Sequence, residues 1–270
     1  MAVVVHRHHP AGVADVVPLV LLPAFPFDSR MWQEVVAALP GIPTLTVDLP
    51  GFGAAHEWAE PEGTTLESYA DALADALDGA EVRKAVVAGV SMGGYVLPAL
   101  AERYPGLLAG VGLLDTKASA DTSEATANRL AIARRALGEE GAGAVIGMLS
   151  NMLSPTTARQ RPEVVQRVRE WLEQAPPAAI AAAQRAMAQR PDRLAVLDGL
   201  DVPALVLYGA DDAITGQDDH EAMGSTLGTE PVRVPEAGHL AAVEQPRQVA
   251  SALTRLHEAA LARLDDRVDG

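Results

Sequence analysis

Lys84-Ala85-Val86-Val87-Ala88-Gly89-Val90-Ser91-Met92-Gly93 decides how the rest of this 270-residue chain is read. The valine- and alanine-rich run predicts a buried strand over Lys84 to Ala88, and a helix is expected from Met92 to Arg103. Between them, Gly89-Val90-Ser91-Met92-Gly93 fits G-x-S-x-G. The glycines let the chain turn sharply without Cβ clashes, so the serine hydroxyl stands up at the carboxyl end of a sheet where helix amides also point. This predicts a nucleophile elbow. The pattern alone is common by chance, and its weight comes from its place between strand and helix.

Working outward, the same alternation recurs. Strands are expected at Val3 to His8, Leu19 to Leu22, Thr44 to Val47, Leu108 to Leu114, Ala204 to Tyr208 and Val232 to Val234. Helices are expected at Ser29 to Leu39, Leu66 to Leu77 (stopped by Gly79), Asp218 to Leu227 and Gln245 to Leu264. This rhythm predicts an α/β fold, a mostly parallel sheet with helices on both faces.

From Lys117 to Asp198 the strands vanish and helices are read at Glu124 to Leu137, Ala142 to Leu149, Pro162 to Gln174 and Pro177 to Gln189. Residues 117–198 therefore form an inserted helical cap on a core of residues 1–116 and 199–270. The insertion holds 11 basic and 9 acidic residues against 10 and 27 in the remainder. Its arginines either face solvent and attract the acidic body or roof an anionic substrate.

A net charge of −15 makes nucleic acid and anionic membranes poor partners. The longest apolar stretch, Val16 to Phe27, is too short and proline-interrupted to span a bilayer, and the N-terminus does not read as a secretory signal. The absence of cysteine excludes disulfides, a thiolate nucleophile and cysteine-based zinc sites, and fits a cytoplasmic protein.

A serine nucleophile needs a base, and histidine has an ordinary pKa suited to that task. His6, His8 and His9 cluster near the N-terminus, where a half-exposed strand is favoured over a metal site; His56, His220 and His257 have no evident partner. His239 follows the strand Val232 to Val234 through Pro235-Glu236-Ala237-Gly238, which brings it to the carboxyl edge of the sheet where ligands gather. Asp211 and Asp212 follow Ala204 to Tyr208 at the same edge, with Asp212 preferred as the orienting acid. Asp115, after Leu108 to Leu114, is the second candidate; its other reading is a turn or hydrogen-bond anchor leading into the insertion.

These stretches, with Pro23-Ala24-Phe25-Pro26, Asp48-Leu49-Pro50-Gly51-Phe52-Gly53, Gly209-Ala210-Asp211-Asp212 and Ala237-Gly238-His239-Leu240, make the chain resemble the α/β-hydrolase superfamily from Leu19 to about Leu264. The resemblance implies a triad in the order Ser91, Asp212, His239, an oxyanion hole from the backbone amides of Phe25 and Met92, and a cap over the pocket. Many members carry His-Gly where this chain has Pro23-Ala24. That histidine is mainly structural in them, so the hole is expected to persist. Members that open epoxides or remove halogens carry aspartate at the elbow, so Ser91 points away from those chemistries.

The expected activity is hydrolysis of a small, moderately apolar ester or lactone through an acyl-enzyme, with no metal or organic cofactor. Thioester hydrolysis, carbon–carbon bond hydrolysis and cofactor-free perhydrolysis use the same triad, and a ligand receptor without turnover is the alternative outside enzymes. Thr116, Met148, Met152 and Leu240 are the candidate substrate-binding residues. Trp32 and Trp171 are read as packing residues.

Overall fold

A computed structural model of the chain describes residues 2–8, 17–57 and 63–268. His9 and Val16 lie outside them. Seven strands form one sheet: β1 (Val4–His8), β2 (Leu19–Leu22), β3 (Thr44–Asp48), β4 (Ala85–Val90), β5 (Leu108–Leu114), β6 (Ala204–Gly209) and β7 (Val232–Val234). Their order is β1-β3-β2-β4-β5-β6-β7, with β1 antiparallel to β3 and every other pair parallel. Every residue of β2, β4 and β5 is buried, as strands covered on both faces require.

In the first half of the core, α1 (Gln33–Ala37), α2 (Leu66–Gly79) and α3 (Met92–Arg103) follow β2, β3 and β4. The residues read as one helix from Ser29 start as a 3-10 turn over Ser29–Trp32 before α1. Thr65 and Ser68 cap α2 reciprocally through side chain and backbone. Gly79 does not stop α2. It is the last helical residue, and Glu81 (φ 61°) takes the left-handed position that reverses the chain.

Residues 117–198 hold α4 (Ser123–Leu137), α5 (Gly143–Ile146), α6 (Leu149–Met152), α7 (Pro155–Gln160), α8 (Pro162–Gln174), α9 (Pro177–Ala188) and α10 (Leu194–Asp198), with no strand. The single helix expected over Ala142 to Leu149 is two short ones, broken around Gly147 and Met148, and α7 and α10 were not foreseen. Both are too short for helical periodicity to register. The core closes with α11 (Gln217–Leu227), α12 (Ala241–Glu244) and α13 (Pro246–Val268). The last helix was expected from Gln245 and is preceded by the separate turn α12. No helix among the described residues is long and apolar enough to cross a membrane.

Arginines of residues 117–198 reach acidic partners. Arg167 pairs with Glu34 (2.6 Å), and Arg193 bonds Glu67 and Glu102 of the core. Asp121 gathers Arg129, Arg190 and Lys117. Burial pushes the Asp121 carboxyl up, but the hydrogen bond from Arg190 and the charge of Arg129 outweigh it and hold its pKa at about 2.

Because that pKa is depressed on folding, its stabilisation is full above the ordinary value and is lost as pH falls through about 2. Between about pH 5 and pH 2 the wild type is expected to lose about 2 kcal/mol more stability than Asp121→Asn. Equal slopes of stability against pH in thermal melts would contradict this.

Candidate active site

The elbow is built by close backbone approach. Ser91 sits at φ 52° and ψ −112°, a conformation that costs a non-glycine residue about 1–3 kcal/mol and persists only where the surroundings enforce it. A Cβ on Gly89 would stand 2.3 Å from the carbonyl carbon of Gly93, and one on Gly93 would stand 2.7 Å from Leu22. The turn can therefore close against β2 only without side chains there. Ser91 N donates to Leu114 O (3.0 Å), fastening the elbow to β5. The Ser91 side chain makes no helix-capping bond, so its hydroxyl is free for another partner.

That partner is His239. Its Nε2 lies 2.8 Å from Ser91 Oγ, and its Nδ1 lies 2.9 Å and 3.1 Å from the two oxygens of Asp212. The imidazole donates from Nδ1 to the carboxylate, which leaves Nε2 to accept the serine proton. Asp212 also accepts from Ile214 N, Thr215 N and the Thr215 hydroxyl. Burial works to raise its pKa, but the neighbouring imidazole and these donors outweigh it, so the carboxyl lies below its ordinary value. Thr215 was not anticipated; a hydroxyl three residues after the acid is the signal that marks it.

Asp115, the second candidate acid, is fully buried and bonded to Gly209 N (2.8 Å) and Ala241 N (3.1 Å). Burial and the nearby Asp212 charge push its pKa well above the ordinary value, against the two amides. It anchors backbone, but of the core: the end of β6 and the start of α12, not the insertion. His220, read as partnerless in a polar context, is fully buried, stacks on Tyr208 and bonds Gly216 O through Nδ1. His257 bonds Val17 O, and His6 and His8 bond Asp48 and Thr46 across the β1–β3 pair. No group of three or more candidate ligands that could hold a metal ion occurs among the described residues.

Neither the amide of Phe25 nor that of Met92, the first residue of α3, has a hydrogen-bond partner among the described residues. The preceding amide, Ala24 N, is taken by Met31 Sδ (3.2 Å). Asp48 steadies this segment by accepting from Ser29 N and, across the next loop, from Ala54 N (2.8 Å each).

The expected substrate-binding residues divide. Thr116 is fully buried and donates to Ser91 O (2.8 Å), so its hydroxyl supports the elbow and is not free at a pocket mouth. Met152 and Leu240 are buried and Met148 is half-buried. A Cβ on Gly238 would lie 3.1 Å from Met152 O, which puts the end of α6 against the histidine loop. Trp32 is wholly buried, and Trp171 packs edge-on against Phe27.

A cavity of about 530 Å³ lies toward β1, lined by residues including Pro26, Asp28, Arg30, Asp48, Phe52 and Trp171 but by no member of the serine–histidine–aspartate line. Its charges are largely spent on one another, Arg30 on Asp28 and His6 on Asp48. The reactive geometry is at Ser91.

Residues 19–252 match the alpha/beta hydrolase family. The chain is 31% identical over 255 residues, 88% of its length and 90% of the relative's, to a 2-succinyl-6-hydroxy-2,4-cyclohexadiene-1-carboxylate synthase of an Enterobacter species. It is 28% identical to 3-oxoadipate enol-lactonase 1 of Acinetobacter baylyi, covering 82% of this chain and 81% of that one. Among solved structures, a thermophilic esterase from Thermogutta terrifontis, with malate bound, superposes with a TM-score of 0.89 at 35% identity, covering 96% and 93% of the two chains.

Gly89→Ala is expected to cost about 3 kcal/mol or more, since its Cβ meets backbone that no rotamer change can move. Gly106→Ala, where nothing lies within 4 Å, serves as the control. Similar denaturation midpoints for both variants would refute the close-packed elbow.

Proposed function

The chain belongs to the alpha/beta hydrolase family, and we propose that it is a serine hydrolase cleaving a small, moderately apolar carboxylic ester or lactone through an acyl-enzyme. The observation that carries this reading is the continuous hydrogen-bond line from Ser91 Oγ through His239 to Asp212. In it His239 Nε2 takes the hydroxyl proton as Ser91 Oγ attacks the acyl carbonyl. The amides of Phe25 and Met92, without a partner among the described residues, receive the negative charge on the tetrahedral oxygen. His239 then returns its proton to the leaving oxygen. Water attacks the acyl-enzyme with the same histidine as base, and the acid leaves.

Met148, Met152 and Leu240 are proposed to line the acyl side, since α6 abuts the histidine loop. A lactone fits the mechanism as well as an open ester, because the leaving oxygen then stays tethered to the acyl group. The enol-lactonase and esterase among its relatives support this substrate class. Turnover of a small molecule in the cytoplasm suits a cysteine-free chain of net charge −15.

Short p-nitrophenyl esters, lactones and acyl thioesters assayed with wild type and Ser91→Ala test the reading. Wild type is expected to turn over the esters or lactones, and Ser91→Ala to lose about 10⁴-fold or more in kcat. A fluorophosphonate is expected to label wild type alone. No turnover and no labelling of a folded wild type would favour a ligand receptor instead.

The pH profile gives a second test. The base must be neutral to accept the serine proton, and the Asp212 carboxyl beside it lies below its ordinary pKa. The rate is therefore expected to fall in acid with a single proton uptake. A rate that does not fall on acidification of the folded enzyme would contradict histidine as the base.

A further inference from the structure

His239 sits in a loop without regular structure, between β7 and α12, and two buried carboxylates outside the triad grip that loop on either side of it. Ala241 N, two residues after His239, donates to Asp115 Oδ2 (3.1 Å), and Gly238 N, one residue before it, donates to Glu244 Oε1 (2.7 Å). The second oxygen of each carboxylate reaches a different element. Asp115 Oδ1 accepts from Gly209 N (2.8 Å), at the end of the strand that leads to Asp212. Glu244 Oε2 accepts from Ser154 N (2.8 Å), in the cap between α6 and α7.

Glu244 is only 1% exposed, although its own backbone belongs to the short turn α12. Around it the cap and the loop meet through further bonds. Arg161 Nη1 donates to Glu244 O (2.6 Å), and Ser154 Oγ donates to Glu236 O (3.2 Å). At Gly238 the two backbones are so close that a Cβ would stand 2.8 Å from Leu153 C and Ser154 N. The Glu244 carboxyl presents two oxygens, so one side chain meets two amides that converge on it from different segments. A glutamine there would turn an NH₂ group toward one of the two N–H donors.

We propose that Glu244 is a positioning residue for His239 that couples the histidine loop to the cap, so that seating of cap residues 152–161 sets where the imidazole stands relative to Ser91. Glu244 ties the base to the lid over the substrate. The inference rests on His239 acting as the base, but its geometry is independent of which acyl compound is cleaved.

The test compares wild type with Glu244→Gln, Arg161→Met and the control Arg135→Gln, an exposed cap arginine paired with Glu140. Three quantities are read: kcat and KM for p-nitrophenyl acetate per fluorophosphonate-titrated site, the downfield proton resonance of His239 Nδ1–H, and the melting temperature. Glu244→Gln is expected to lower kcat by ~10²-fold, the scale of a misplacement of about 1 Å, with KM changed by less than about threefold. The His239 resonance should shift or broaden with it. Arg161→Met, which loses one tie from a partly exposed side chain, should move kcat and the resonance in the same direction by ~3–10-fold in rate. Arg135→Gln should leave all three unchanged.

Full kcat per titrated site with an unshifted resonance in folded Glu244→Gln would overturn the proposal, as would a fall in melting temperature alone. If Glu244→Gln does not fold, Arg161→Met decides: wild-type kcat and resonance there would overturn the coupling to the cap. If wild type cleaves no ester, the proposed function fails on that result, while the His239 resonance in the variants still decides this inference.

Discussion

The backbone of one residue, Ser91, is held where a side-chain-bearing residue does not rest by choice, and much of the molecule can be understood as what holds it there. β4 delivers the chain, α3 carries it away, and the close approach of Gly89 to Gly93 and of Gly93 to Leu22 leaves no room for a relaxed turn. Hydrogen bonds to the elbow come from the neighbouring strand: Ser91 N to Leu114 O, and the Thr116 hydroxyl to Ser91 O. The strain is thus fixed by β2, β4 and β5 together, the most deeply buried part of the sheet. A serine on a loop without that backing would relax and lose its aim.

Strands end at the site edge, and beyond them the chain has no ladder to satisfy its amides. Here buried carboxylates take over. Asp48 receives Ser29 and Ala54, Asp115 receives Gly209 and Ala241, Asp212 receives Ile214 and Thr215, and Glu244 receives Ser154 and Gly238. Each acid joins backbone segments that no strand pairing connects, or, for Asp212, tightens its own loop. In a water-poor interior an acceptor lost from such a junction leaves an amide unsatisfied. The acidic character of this edge is therefore structural as well as chemical.

The helical segment 117–198 also places arginines on carboxylates. Its arginines reach Glu34, Glu67 and Glu102 of the core and Asp121 at its own base.

Much of this was legible in the linear sequence. Buried strands announce themselves as valine and leucine runs, long helices by their periodicity, and the elbow by glycines flanking a serine, because each signal is local. Ser91 and His239 stood out because each follows a strand on the same edge, whereas that placement left Asp115, Asp211 and Asp212 all open and it took the family resemblance to single out Asp212 over Asp211. Sequence did not reveal Thr215, the break at Gly147, α7 and α10, or the true end of α2, where Glu81 and not Gly79 turns left-handed. Nor could it show that Thr116 faces backbone or that Glu244 reaches Ser154, 90 residues away. The order and chemistry of the parts were determined by the residues alone, since side-chain pattern dictates which face is buried. Which oxygen meets which amide was decided only by tertiary packing, because such contacts join segments whose spacing in the chain carries no trace of their distance in space.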